Sequence, residues 1–294
     1  MSVGGRRLFA RGYAAGMTEN SSVSGADGVL SIAVSSPANG TSLDGNALDE
    51  AIVALTALHA GQRNERVILL HGSGKNFCAG GNVASFATAV DRTEFLAELA
   101  DRLHRTIALI VESGRPVVVA AKGWAAGAGM SLTMLGDIVV GGPSTKMRPA
   151  YRGIGLSPDG GMTWTLPRIV GLVRARKIIL TDQIIDAPEA LELGLLTEIV
   201  DDDRVDASAR EIAVALASGP AAALQATAAL LRADPATTLV EQLAAEAAST
   251  SPASTATATS SAPSPGSTAS PASSCKNPTS RTCSATWSSR RRMR

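Results

Sequence analysis

Apolar residues recur along this chain with two different spacings, and each change of spacing marks an element. Short apolar runs at residues 29–34, 66–71, 116–121 and 138–140, bounded by Gly, Pro or Asp, read as buried strands. Pro116 is tolerated because it is the first residue of its run. Between the runs the spacing lengthens. Leu43, Leu48, Ile52, Leu55 and Leu58 form a helical stripe, and residues 92–111 form another helix. After the third run, Ala125-Ala126-Gly127-Ala128-Gly129 is a small-residue turn that opens a helix carrying Met130, Met134 and Leu135. Alternation of strand and helix predicts an α/β fold with a parallel sheet and right-handed crossovers. From residue 170 the pattern is helical throughout. Val173, Ile178, Ile179 and Leu180 make one stripe, and Asp186 caps a helix with Pro188 near its start and Gly194 beyond its end. Residues 205–217 and 221–231 are two further helices, and Thr237 begins another.

The two ends of the chain break this pattern. Residues 1–25 are polar and Gly/Ser-rich, carry Arg6, Arg7 and Arg11, and lack the apolar segment of a signal peptide. They are expected to be a disordered extension, with Met17 a second candidate start. From Ser249 onward Leu, Ile, Val and Phe vanish in favour of Ser, Thr, Ala and Pro, a composition that builds no core. The expected layout is an extension at 1–25, a core at 26–200, a helical region at 201–248 and a disordered tail at 249–294. The tail is expected to be a frame-shifted reading, with a genuine disordered linker, which the same composition supports, as the alternative. Codons for Ala, Pro, Thr and most Ser share a middle C, and sliding the frame back one base makes Ser260, Ser261, Ser264 and Ser267 apolar at helical spacing.

Composition narrows the classes. The chain has 294 residues, 45% of them hydrophobic, which suffices for a substantial core. Its net charge of +1 gives no basis for a nucleic-acid partner, and the six cations of the tail (Lys276, Arg281, Arg290, Arg291, Arg292, Arg294) leave the rest acidic. Three cysteines, Cys78, Cys275 and Cys283, suggest neither a disulfide framework nor a zinc site. No apolar run reaches the roughly 18 residues of a membrane span. A reduced, cytoplasmic protein is expected, without metal or membrane partner.

Two strand-to-turn corners carry the candidate chemistry. One follows the strand at 66–71 and reads Gly72-Ser73-Gly74-Lys75-Asn76-Phe77-Cys78-Ala79-Gly80-Gly81-Asn82-Val83; the other is the Ala125–Gly129 turn. Backbone N–H groups left bare at such corners, with a helix dipole behind them, suit an oxyanion or a phosphate. Close packing alone also calls for small residues there.

The residues of both corners resemble the crotonase, or enoyl-CoA hydratase/isomerase, superfamily. GSGKNFCAGGNV is similar to that family's first oxyanion-hole loop and KGWAAGAGMSLTMLGDIVV to its second, while IGLSPDGGMTWTLPRIVG and DAPEALELGLLTEIV match two further blocks, so the resemblance covers about residues 29–202. It implies a crotonase-type spiral of β-β-α repeats followed by a C-terminal helical region, where the alternation alone suggests a doubly wound sheet. It also implies a homotrimer or dimer of trimers acting on an acyl-CoA, with the coenzyme A thioester as substrate and no separate cofactor.

The resemblance further implies that the N–H groups of Gly81 and Ala128 hold the thioester oxygen as an enolate forms, with Ala79, Gly80, Asn82, Ser131 and Tyr151 around the substrate. The two glutamates of the family's hydratases fall on Ser131 and Tyr151, neither a strong base near neutral pH. Asp159, in Ser157-Pro158-Asp159-Gly160-Gly161, resembles the single carboxylate of the family's double-bond isomerases. It also reads as a helix cap before Gly160, or as a nucleophile of the kind found in 4-chlorobenzoyl-CoA dehalogenase. An isomerase that shifts a C=C bond through a thioester enolate is therefore expected. A hydratase and a non-catalytic acyl-CoA binder are its rivals. His104 reads as a surface or core residue, Asp137 as a helix-end cap, and Lys75 and Arg152 as solvated cations or contacts for CoA phosphates.

Overall fold

The computed structural model describes residues 21–36, 41–88, 90–232 and 236–250; the expectations for residues 1–20, the turn at 37–40 and the tail from 251 lie outside them. In chain order the elements begin β1 (Val23–Ala26), β2 (Val29–Ser35), α1 (Gly45–His59), β3 (Val67–Gly72), α2 (Val83–Thr88) and α3 (Arg92–Glu112). Then come β4 (Val117–Ala121), β5 (Trp124–Ala126), α4 (Ala128–Thr133), β6 (Ile138–Gly141), β7 (Lys146–Arg148) and a 3-10 turn at Arg152–Ile154. The chain continues with α5 (Met162–Val170), α6 (Leu172–Thr181), β8 (Ile185–Asp186), α7 (Ala187–Glu192) and β9 (Glu198–Ile199). It closes with α8 (Val205–Ala217), α9 (Ala221–Leu231) and α10 (Leu239–Thr250).

All four apolar runs lie in one six-stranded sheet of order β1-β2-β3-β4-β6-β9, parallel except at its β1 edge. Their near-continuous apolar character has a direct cause: both faces of the sheet are covered. Leu30, Ile32, Ile68, Leu70, Val117 and Val119 join the larger core with α1 and α3. Val29, Val67, Leu69, Val118 and Val140 pack instead against Val205, Ala209, Ala213 and Ala217 of α8.

A second, three-stranded sheet has the order β5-β7-β8. It distinguishes this fold from a doubly wound one. β4 lies in the large sheet, β5 in the small one, and α4 follows; β6, β7 and α5 repeat the same progression. The segment after β3 does so in reduced form, with Cys78 bridging Ala125 of β5 before α2 begins. Each turn of the chain is thus two strands and a helix, as the resemblance implied.

Four expectations need correction. Residues 23–25, assigned to the disordered extension, pair together with Ala26 antiparallel to β2, Val23 opposite Ile32 and Ala26 opposite Val29. Asp137 caps no helix: its Oδ2 accepts the Val117 N–H at 2.8 Å at the start of β4 and also meets Arg232. The stripe at 173–180 splits, with Ile178 buried but Val173 and Leu180 exposed. The last helix begins one residue after Thr238, whose Oγ1 accepts the Glu241 N–H while Glu241 accepts the Thr238 N–H, and it runs to Thr250, past the expected boundary at 248.

Candidate active site

The two corners lie side by side because the loop after β3 is hydrogen-bonded to β5. Cys78 N–H donates to Trp124 O at 3.0 Å and Ala126 N–H to Cys78 O at 2.9 Å. Phe77 N–H donates to Lys122 O at 2.7 Å, and the Asn76 side-chain oxygen accepts the Trp124 N–H at 3.1 Å. The approach is so close that a Cβ on Gly129 would stand 2.1 Å from Cys78 O. Only glycine fits there. Cys78 is fully buried, and burial pushes its thiol up to about 12, so its place in the motif is one of packing.

Gly127 precedes α4, and the first bond of that helix runs from Ser131 N–H to Gly127 O. Ala128 therefore sits in the first turn, where N–H groups lack intrahelical partners and the dipole is positive. Neither the Ala128 N–H nor the Gly81 N–H has an acceptor among the described residues.

Both residues line one cavity of about 170 Å³. Ala79, Gly80 and Gly127 add small residues to its lining, and Tyr151 and Asp159 line it as well. The remaining wall is apolar: Leu43, Val83, Leu96, Leu99, Ala100, Leu103, Ala150, Ile154 and Leu156. Asp159 is the one acid among the described residues that line it.

The Asp159 carboxylate is held from one side. Tyr151 Oη donates to Asp159 Oδ1 at 2.5 Å. Burial, reinforced by that carboxylate, raises the Tyr151 phenol above its ordinary value, so it remains a neutral donor. Asp159 does not cap α5, whose N-cap is Gly161 with no side-chain hydrogen bond. The surrounding loop is fixed by backbone contacts. Ser131 Oγ donates to Asp159 O at 2.9 Å, and Gly160 N–H donates to His104 Nε2 at 3.2 Å. Gly160 has φ +60°, and a Cβ there would meet Ser131 Cβ at 2.8 Å, which accounts for glycine after Asp159. On the Tyr151 side, Asp182 accepts from Arg148 Nη2 at 2.6 Å and from Ala150 N–H at 2.7 Å, bracing Ala150 in its left-handed conformation of φ 57°.

Of the residues expected around a substrate, Ala79, Gly80, Gly81, Ala128, Tyr151 and Asp159 come together and two do not. Ser131 is 1% exposed and lies beneath the Asp159 loop rather than on the cavity wall. Asn82 faces a neighbouring cavity, and its side-chain oxygen accepts the Ser85 N–H at 3.3 Å at the start of α2. Lys75 and Arg152 are exposed and line neither cavity. His104 is exposed, yet its ring anchors the glycine after Asp159. The sequence reading passed over the leucines of α3. Leu96, Leu99 and Leu103 recur at helical spacing, and that spacing was the available signal. Among the described residues no group of three or more His, Cys, Asp or Glu is placed to hold a metal ion. No single described helix is long and apolar enough to cross a membrane.

The family model for enoyl-CoA hydratase/isomerase matches residues 24–261, and the chain belongs to that family. The fold is the crotonase fold. A probable enoyl-CoA hydratase of Rhodobacter capsulatus is 37% identical over 204 residues, 69% of this chain and 79% of its own length. The 1,2-epoxyphenylacetyl-CoA isomerase of Escherichia coli is 37% identical over 160 residues, 53% of this chain and 60% of its own. The crystal structure of a putative enoyl-CoA hydratase from Streptomyces coelicolor superposes with a TM-score of 0.71 at 31% identity, covering 81% of this chain and 88% of that one.

Proposed function

We propose that the chain is an enoyl-CoA isomerase, moving a C=C bond of an acyl-CoA from the 3 to the 2 position through a thioester enolate. The observation that carries this is the solitary carboxylate: Asp159 alone among the described cavity-lining residues is an acid, and Tyr151 occupies one of its two oxygens. In the reaction the thioester oxygen accepts hydrogen bonds from Gly81 and Ala128 N–H. Asp159 Oδ2 takes the proton from C2, the electron pair spreads over the dienolate onto the carbonyl oxygen, and the same carboxyl returns a proton to C4. Atoms balance without water. Two preorganised donors facing the developing charge are worth several kcal/mol at the transition state.

Hydration, the reaction for which the Rhodobacter capsulatus relative is named, needs a second group to activate water. Tyr151 and Ser131, at the positions that resemble the hydratase glutamates, are a neutral phenol and a buried hydroxyl. A homotrimer is part of the same reading, supported by the apolar side chains that Trp164, Leu172, Val173 and Leu180 leave exposed on α5 and α6.

The test is spectrophotometric. Added to 3-hexenoyl-CoA, the protein is expected to generate the absorbance of a thioester conjugated with a C=C bond, and added to 2-hexenoyl-CoA it is expected not to bleach that absorbance by hydration. Bleaching at a rate above conjugation overturns the isomerase reading in favour of the hydratase.

A further inference from the structure

The cavity has a near neighbour. A second cavity of about 220 Å³ lies beside it, lined by Asp44, Asn46, Asn82, Ser85, Glu98 and Arg102 among others. Leu43 and Leu99 line both, so these two side chains form the partition. The halves of the partition differ. Leu43 is 5% exposed and its N–H donates to Gly80 O at 2.8 Å, tying it to the first corner. Leu99 projects from α3, is only partly buried, and packs on the core from the edge.

We propose that Leu99 is a chain-length gate: it separates the apolar cavity from the polar one and limits the acyl group to an unsubstituted hydrocarbon of about six carbons. This deepens the acyl-CoA reading above and rests on it. The size follows from the volume. An apolar cavity of about 150 Å³ holds benzene, and about 170 Å³ is available here, part of it beside Gly81 and Ala128 where the carbonyl belongs. The chemistry follows from the wall. Beyond the mutually bonded Tyr151 and Asp159, its side chains are apolar, so a polar substituent on the acyl group would lose its water without gaining a partner. A longer chain has to displace Leu99 and then enter a cavity bordered by the carboxylates of Asp44 and Glu98 and the guanidinium of Arg102. One methylene in a hydrophobic pocket is worth roughly 10- to 200-fold in discrimination, so a misfit of two carbons is readily measured.

Calorimetric titration with butanoyl-, hexanoyl-, octanoyl- and decanoyl-CoA tests the gate, because saturated thioesters bind without reacting. The unaltered protein is expected to tighten from four to six carbons and to gain nothing at eight or ten. Leu99→Ala joins the two cavities and is expected to shift the tightest ligand to eight or ten carbons, by about tenfold or more. Leu99→Phe fills the space and is expected to shift it to four. Circular dichroism checks folding, and if Leu99→Ala does not fold, Leu99→Phe decides alone. Binding by the unaltered protein with the same chain-length profile in the variants overturns the gate and leaves the acyl-CoA reading standing. No binding of any of the four thioesters overturns both.

Discussion

The cavity is lined by two different materials. Part of its wall is backbone, that of Gly81 and Ala128, whose amides are proposed to hold the thioester oxygen and are set by two corners that are hydrogen-bonded to each other. The rest is side chains, among them Leu96, Leu99 and Leu103 from α3 and Ile154 and Leu156 from the loop after β7. A backbone amide stays in place through most side-chain substitutions, whereas a side chain on a helix face can be exchanged alone. The Tyr151–Asp159 pair also lines the cavity, a side-chain acid held by a side-chain donor.

That contrast is sharpened by substitutions in descending order of effect. Gly129→Val puts side-chain atoms onto Cys78 O, which a Cβ alone already approaches to 2.1 Å, and is expected to abolish soluble folded protein, as circular dichroism and expression yield would report. Asp159→Asn is expected to leave acyl-CoA binding intact while lowering turnover by about 10²–10⁴-fold, the usual span of general acid–base catalysis. Unchanged turnover in that variant would break the assignment. Gly81→Pro removes one amide donor and is expected to cost about 10²–10³ in rate in a chain that circular dichroism shows to be folded.

Smaller still is Tyr151→Phe. Losing one hydrogen bond to a charged group is expected to lower stability by about 1.5–3 kcal/mol near neutral pH, read from the urea midpoint. The phenol's ionisation is raised in the folded state above the ordinary value near 10. Its contribution is therefore complete below pH 10 and is lost as pH climbs through the folded value, so the gap between the two proteins should narrow above pH 10. A constant gap would mean that burial and the Asp159 contact do not act on this phenol.

Legibility in the sequence followed the same division. β2, β3, β4 and β6 were readable because strands covered on both faces are continuous apolar runs. β5, β7 and β8 were not, being two or three residues long with no room for a period to show, and so the small sheet came only with the resemblance. β1 was lost because VSGA offers a single buried apolar residue. The corners were legible as glycine-rich motifs and Asp159 as the remaining acid. The Tyr151 hydrogen bond was not, since nothing in the spacing says which way a phenol points. Ser131 and Asn82 illustrate the converse: their positions match a pattern, but their side chains serve the Asp159 loop and the start of α2.

The central claim is that a single carboxylate moves a proton within the substrate and that no water adds. Mass analysis, read together with the conjugated-thioester absorbance, of the products formed from 3-hexenoyl-CoA in deuterated water tests it most directly. The account predicts 2-hexenoyl-CoA, carrying deuterium at carbon only to the extent that Asp159 exchanges with solvent, from the unaltered protein, and its formation slowed by about 10²–10⁴-fold in Asp159→Asn. A dominant product heavier by one molecule of deuterium oxide, or undiminished isomerisation by Asp159→Asn, would contradict it.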